Sequence, residues 1–501
     1  MIEGMEEITI PKLQEKMNSG TYTAQTITET YLKRIELLDK QGPAINAVIE
    51  INPDALTIAA RLDTERRTNG ARSPLHGIPV MLKDNIDTAD RMMTTAGSLA
   101  LLGSRSPEDA FVAQKLREAG AIILGKTNLS EWANFRSNRS TSGWSSRGGQ
   151  TRNPYVLDRN PDGSSSGSAV AVAANLCSVA IGTETDGSLI GPAQTNSIVT
   201  IKPTRGLISR FGIIPIAHSQ DTAGPMARTV TDVTILLGAL VGIDPRDQST
   251  ADSRGRVFTD YTPFLDPDGL RGARIGIARN FFGFHDHVDQ IMEASIGHMK
   301  RLGAEIIDPA NIETVQELKA TELLVLLYEF KNVLNHYLAR LGANVPVRSL
   351  EEIIEFNERN RVTVMPYFGQ EKLLMAQEKG PLTSTEYMAA LETNQRLSRT
   401  AGIDAVLHKY QLDAIVAPSG GPAWLTDWIT GDHRTQASSS IAAVAGYPNI
   451  TVPSGYIAGL PVGMSFLGGS YQEPTLLKLA FAFEQATQVR RPPQFRETIS
   501  F

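Results

Sequence analysis

The residues able to do chemistry concentrate in two short segments rich in serine and glycine. They are Gly163-Ser164-Ser165-Ser166-Gly167-Ser168 and Gly182-Thr183-Glu184-Thr185-Asp186-Gly187-Ser188. Ser164 and Ser188 stand 24 positions apart, on either side of a helix–strand unit. A turn of this composition exposes consecutive backbone N–H groups, which can surround an oxyanion without formal charge. A serine hydroxyl becomes a nucleophile only when a base takes its proton. Eight histidines are present, but none falls in a segment that reads as a site. His76 and His218 lie beside the interesting segments and read as hydrogen-bonded structural residues. His285 and His287 form an H-x-H pair with no third ligand nearby in sequence, so they read as surface loop rather than metal site.

Lys83 is the better base. It ends the apolar run 77–82, GIPVML, where burial disfavours the ammonium form. To be half neutral at pH 7 it must fall by about 3.4 units, roughly 4.6 kcal/mol. Without the serines, such a lysine would read as one snorkelling from a strand end. Two other nucleophiles compete. Gly163-Ser164-Ser165-Ser166-Gly167 also fits G-x-S-x-G with Ser165 at its centre, but a nucleophile elbow needs a strand directly before it. The preceding TRNPYVLDRNPD, with two prolines and mixed charge, is a poor strand. Cys177 lies in an apolar unit and reads as a small buried core residue.

The elements that must carry these residues alternate between helix and strand. Residues 6–40 read as two helices broken at Ser19-Gly20, with Thr23 as N-cap. A short strand is expected at 45–51, a helix through 59–67, and a strand running into Lys83-Asp84-Asn85. The pattern continues with a helix at 109–119, a strand at 120–124 and a helix at 128–135. Residues 136–168 read as a long functional loop. From it come the small-residue helix SAVAVAANL, the strand in CSVAIGTETDGS and the strand SIVTIKP. After a surface crossing at 243–272 follow a strand at 273–279, a helix at 286–302, a strand at 304–308 and a long helix at 312–341. Helices near 349–357 and 384–400, a strand at 412–418 and a strand pair with a helix at 450–488 complete the chain. No repeat or Pro/Ser linker separates two cores. One large α/β domain over 1–501 is expected, with core motifs at 75–230 and 410–490. Helices at about 285–400 would cover the site.

Composition narrows the class. The 501 residues are 41% hydrophobic and 20% charged, with a net charge of −6, ordinary for a soluble globular enzyme. A nucleic-acid partner is not expected without a strongly basic face. Cys177 is the only cysteine, so neither an intrachain disulfide nor a thiolate metal cluster is expected. No basic n-region followed by an apolar stretch opens the chain, and no run of about 18 apolar residues could span a membrane. A cytoplasmic or otherwise soluble location is therefore expected. The one βαβ-like unit, ARIGIAR to AEIID, lacks a G-x-G-x-x-G opening, so no nucleotide or flavin is expected.

Over nearly its whole length the sequence resembles the amidase signature hydrolases, most of all their peptide amidase-like branch. LHGIPVMLKDNID, the Gly/Ser stretch, IKPTRGLISRFGIIPIAHSQDTAGPMARTV and AVAGYPNITVPSGYIAGLPVGMSFLG follow in the family's order. The resemblance implies an α/β fold in which helices cover both faces of a central mixed, twisted sheet. It implies a catalytic triad of Lys83, Ser164 and Ser188, with Ser164 preceded by a cis peptide and Ser188 acylated. The oxyanion hole would be the backbone N–H groups of Thr185, Asp186, Gly187 and Ser188. No cofactor and no metal are implied. Substrates would be small-molecule or peptide amides, C-terminally amidated peptides first. Trp132, Phe135 and Trp144 lie between the lysine and serine motifs and read either as an acyl pocket or as core. The family's acyl channel passes near Ala133, which favours the pocket.

The sequence also departs from the family. Many members read G-G-S-I-R at the nucleophile, whereas here Leu189, Ile190 and Gly191 follow Ser188. The missing arginine, and a Gly191 that leaves the site uncluttered and uncharged, point to a neutral amide. Two alternatives are an amide-releasing subunit of an amidotransferase complex and a non-catalytic binding protein on the same fold.

Overall fold

The computed structural model describes residues 4–342 and 345–499. Helices Ile10–Asn18 and Ala24–Arg34 flank the break at Ser19-Gly20. Thr23 caps the second: its Oγ1 accepts from Thr26 N at 3.1 Å, and Thr26 Oγ1 accepts from Thr23 N at 3.0 Å. The reciprocal bonds satisfy two backbone donors that a helix start would otherwise leave free.

The first half of the chain supplies strands β1 (Val48–Ile51), β2 (Pro79–Lys83), β3 (Ile122–Thr127), the two-residue pair β4 (Trp144–Ser145) and β5 (Gly149–Gln150), β6 (Val179–Glu184), β7 (Val199–Lys202) and β8 (Thr222–Ala227). The second half supplies β9 (Arg274–Ile277), β10 (Glu305–Ile307), β11 (Ala414–Pro418), β12 (Asn449–Ile457) and β13 (Leu460–Leu467). Apart from the β4–β5 pair, these strands form one sheet of 11 in the order β1-β3-β2-β6-β8-β7-β12-β13-β11-β9-β10. β2 runs parallel to both β3 and β6, and β9 runs parallel to β10 and β11. β8 is antiparallel to β6 and β7, and β12 is antiparallel to β7 and β13. The sheet is therefore mixed, as expected. Every residue of β2, β3 and β6 is buried, which explains why they read as continuous apolar runs without alternation.

The small-residue helix Ser166–Ala173 is wholly buried. A Cβ on its Gly167 would fall on the carbonyl oxygens of Ala47 and Asn128, so only glycine permits this close approach. Elements that went unread in the sequence include the helix Ile190–Thr195, strand β8 and the helix Val230–Leu240. The helix expected at 128–135 is a single 3-10 turn, Glu131–Asn134, with Trp132 and Ala133 in left-handed backbone at φ 54° and 51°. Tertiary bonds override helical propensity there: Ser130 N donates to Ser164 O at 3.2 Å and Trp132 N to Ala96 O at 3.0 Å. Among the described residues no helix is long and apolar enough to cross a membrane.

Candidate functional site

β2 ends on Lys83, which is completely buried. Its Nζ lies 2.7 Å from Ser164 Oγ, 3.1 Å from Ser165 Oγ, 2.9 Å from Thr183 Oγ1 and 3.2 Å from Thr183 O. Burial pulls its pKa down to about 7, against the opposing pull of Asp221 and Glu184. The demand that the sequence placed on Lys83 is thus met by desolvation. Asn85 Nδ2 also donates to Thr183 Oγ1, at 3.0 Å.

The peptide between Gly163 and Ser164 is cis. Ser165 follows at the start of the helix Ser166–Ala173, and its N–H donates to Ser188 O at 3.2 Å. This bond ties the two serine segments together. Ser165 Oγ donates to Thr183 O at 3.0 Å and is sealed from solvent. No strand precedes this turn: residues 151–162 carry only isolated bridges at Val156 and Arg159. The elbow reading of Ser165 therefore has neither its strand nor an open hydroxyl.

Ser188 follows β6 and lines a cavity of about 740 Å³. Its hydroxyl makes no hydrogen bond among the described residues, to Ser164 or to any other group. The N–H groups of Thr185, Asp186, Gly187 and Ser188 likewise find no protein acceptor there. Glu184 holds the turn from beneath, its Oε2 accepting from Leu189 N at 2.8 Å and Ile190 N at 3.1 Å. Thr185 Oγ1 donates to Asp221 at 2.5 Å, and burial pushes Asp221 up to about 6. Asp186 accepts from Ser439 Oγ at 2.9 Å and Ser440 Oγ at 2.7 Å.

The helix Val315–Ala339 forms part of the cavity wall. Its Leu318, Leu323 and Leu326 join Phe135, Ile216 and Phe281 on the apolar side. Glu322 meets Asp186 at the cavity wall, and burial together with the Asp186 charge raises its carboxyl well above the usual range. Lys319, Lys372 and Arg434 line the same space. The expectation of an uncharged site from Gly191 therefore does not hold. Gly191 is instead opposed by the Asp162 carboxylate, since a Cβ there would stand 2.5 Å from Oδ2.

Of the candidate pocket residues, Ala133 and Phe135 line the cavity, but Trp132 and Trp144 do not. Trp132 is 2% exposed and belongs to the core beside Phe330 and Leu334. Its left-handed backbone turns Ala133 toward the cavity in its place. Trp144 packs edge-on against Phe368 at 5.1 Å. His76 is buried, with Nε2 3.0 Å from Leu62 O, while the half-exposed His218 lies 3.4 Å from Glu329. Cys177 is buried, and its thiol is pushed up to about 12 by desolvation. Among the described residues no group of three His, Cys, Asp or Glu side chains could hold a metal, His285 and His287 included.

A family model described as Amidase matches residues 26–477. The chain belongs to the amidase family. It is 43% identical to a probable amidase of Arabidopsis thaliana, over 98% of this chain and 92% of that one. The native peptide amidase of Stenotrophomonas maltophilia superposes with a TM-score of 0.94 at 49% identity, covering 98% of this chain and 99% of that one. One subunit of the glutamyl-tRNA(Gln) amidotransferase of Thermoanaerobacter pseudethanolicus is 34% identical over 97% of this chain and 98% of its own. As a member of this family the chain is an amidohydrolase.

Sequence reasoning missed Arg434, Glu322 and Asp221. Arg434 and Asp221 sit in polar loops without periodicity, and Glu322 looks like any acid on a long helix. Only the fold brings Arg434 and Glu322 to the cavity, and Asp221 to Thr185.

Proposed function

We propose that this amidase hydrolyses neutral carboxylic amides through an acyl-enzyme on Ser188, with C-terminally amidated peptides as its first substrates. One observation carries the reading: a buried lysine with a pKa near 7 lies 2.7 Å from Ser164 Oγ, in the turn tied to Ser188. Neutral Lys83 takes the Ser164 proton as Ser164 takes that of Ser188. The Ser188 oxygen bonds to the amide carbon, and the oxyanion is received by the free N–H groups of 185–188. Lys83 returns the proton through Ser164 to the nitrogen as the C–N bond breaks, releasing ammonia or an amine. Water enters where the amine left, and the same relay frees the carboxylic acid. No cofactor takes part in these steps. The apolar wall suits the acyl side of such a substrate, and the peptide amidase neighbour supports the peptide class.

A fluorophosphonate probe with peptide mapping tests the assignment. The label is expected on Ser188, and Ser188→Ala should lose both label and turnover. A label on Ser165 would overturn it. The amidotransferase relatives favour a second reading, in which ammonia is passed to a partner. Copurification of a stoichiometric partner, with free glutamine preferred over peptide amides, would establish that reading instead.

A further inference from the structure

Arg434 reaches the cavity from a loop near the end of the chain and meets the nucleophile turn there. One edge of its guanidinium is occupied. Nη2 donates to Asp162 Oδ1 and lies 3.4 Å from Gly163 O. Nη1 makes no hydrogen bond among the described residues and stands beside Gly187, where an added Cβ would meet it at 3.5 Å. The free edge thus borders the residue before Ser188. Asp162 is fixed in its turn. Its side chain is 3% exposed, its Oδ1 accepts from Gly163 N at 2.6 Å, and only a glycine at 191 leaves room for Oδ2.

We propose that Arg434 is a specificity-determining residue whose free edge takes a second carbonyl oxygen in the acyl part of the substrate. Asp162 is its positioning residue and makes it selective for that neutral carbonyl over a carboxylate. This inference rests on the acyl-enzyme reading above. An unpaired arginine fork prefers a carboxylate, which it binds through two charged hydrogen bonds. Here one arm and the net charge are already committed to Asp162, so the N–H donors left on Nη1 carry no unpaired charge to match a carboxylate. The acyl group of an amidated peptide carries such a carbonyl, that of the residue before the amidated one. Asp162, Gly191 and Arg434 therefore act as one unit, in the place of the arginine that many family members carry after the nucleophile.

Two amides of equal length test this on the unaltered protein: a keto amide, and the amide in which that carbonyl is a methylene. The keto amide should be preferred by roughly tenfold or more in kcat/KM, as for a hydrogen bond to a charged donor. In the double variant Asp162→Asn/Arg434→Gln the preference should shrink toward one, mainly through KM. In Asp162→Asn alone, an amide bearing a carboxylate at that place should gain roughly tenfold relative to the keto amide. A ratio near one in the unaltered protein, a ratio unmoved in the double variant, or carboxylate discrimination unmoved in Asp162→Asn would each overturn the inference. Fluorophosphonate labelling is read in all three proteins. Labelled Ser188 with unmoved ratios defeats only the Arg434 assignment, whereas unlabelled Ser188 in the unaltered protein defeats the acyl-enzyme reading beneath it.

Discussion

Lys83, sealed from bulk solvent, has four oxygen acceptors around one nitrogen. A neutral amine offers two N–H donors and one lone pair. Thr183 and Ser165 can take the donors, which leaves the lone pair for the Ser164 proton. Lys83→Met is expected to leave the protein folded and to cut kcat by more than the ~10²–10⁴ typical of losing a general base, because the proposed relay uses Lys83 in both proton transfers. Residual activity within threefold of the parent would place the base elsewhere. The sign of the pH dependence follows from the same group. With its pKa pulled down to about 7, the base form fills as pH rises through 7. The kcat/KM should climb about tenfold per pH unit below that point and level off above it. A profile flat from pH 5 to 7 would contradict the assignment. Lys83, Ser164 and Ser188 were legible in the sequence because a strand-end lysine and two Ser/Gly turns form local patterns. Arg434 was not, because its partner Asp162 is 272 positions away and nothing in GDHRTQ marks that contact.

At the level of elements, the turn that carries Ser188 is held by Glu184 at the end of β6, through two N–H groups at the start of the helix Ile190–Thr195. Glu184→Ala leaves both donors buried without an acceptor, at a cost of roughly 1–3 kcal/mol each. It also removes a charge that favours protonated Lys83. A lower urea midpoint, a reduced kcat and a kcat/KM profile shifted to lower pH are expected together. A purely structural role for Glu184 would leave the pH profile in place. Gly167→Ala tests the helix beneath the turn, where overpacking against Ala47 and Asn128 should cost about 1–3 kcal/mol in equilibrium unfolding. The strands β2, β3 and β6 were readable as short apolar runs. β8 was not, since TAGPMA contains both glycine and proline and resembles a turn. The 128–135 segment misled for the opposite reason: its composition suits a helix, but its backbone groups are claimed by Ser164 and Ala96.

Over the whole molecule, the sheet runs unbroken from β1 at one edge to β10 at the other. With β7 paired to β12, the first half of the chain cannot be separated from the second without breaking backbone bonds in the middle of the sheet. Unfolding in urea should therefore follow one transition by both far-ultraviolet dichroism and tryptophan fluorescence. Two resolved transitions would mean that the halves fold independently. The pairing of distant segments also bears on synthesis. Lys83, Ser164 and Ser188 all belong to the first 188 residues, but the wall of the cavity includes Arg434, Ser439 and Ser440. At ordinary translation speeds, tens of seconds separate the appearance of Ser188 from that of Ser440. Throughout that interval the nascent chain holds Ser188, the serine proposed to react, without the enclosure that would present an amide to it. The ribosome thus delivers the proposed nucleophile early and the means of using it late.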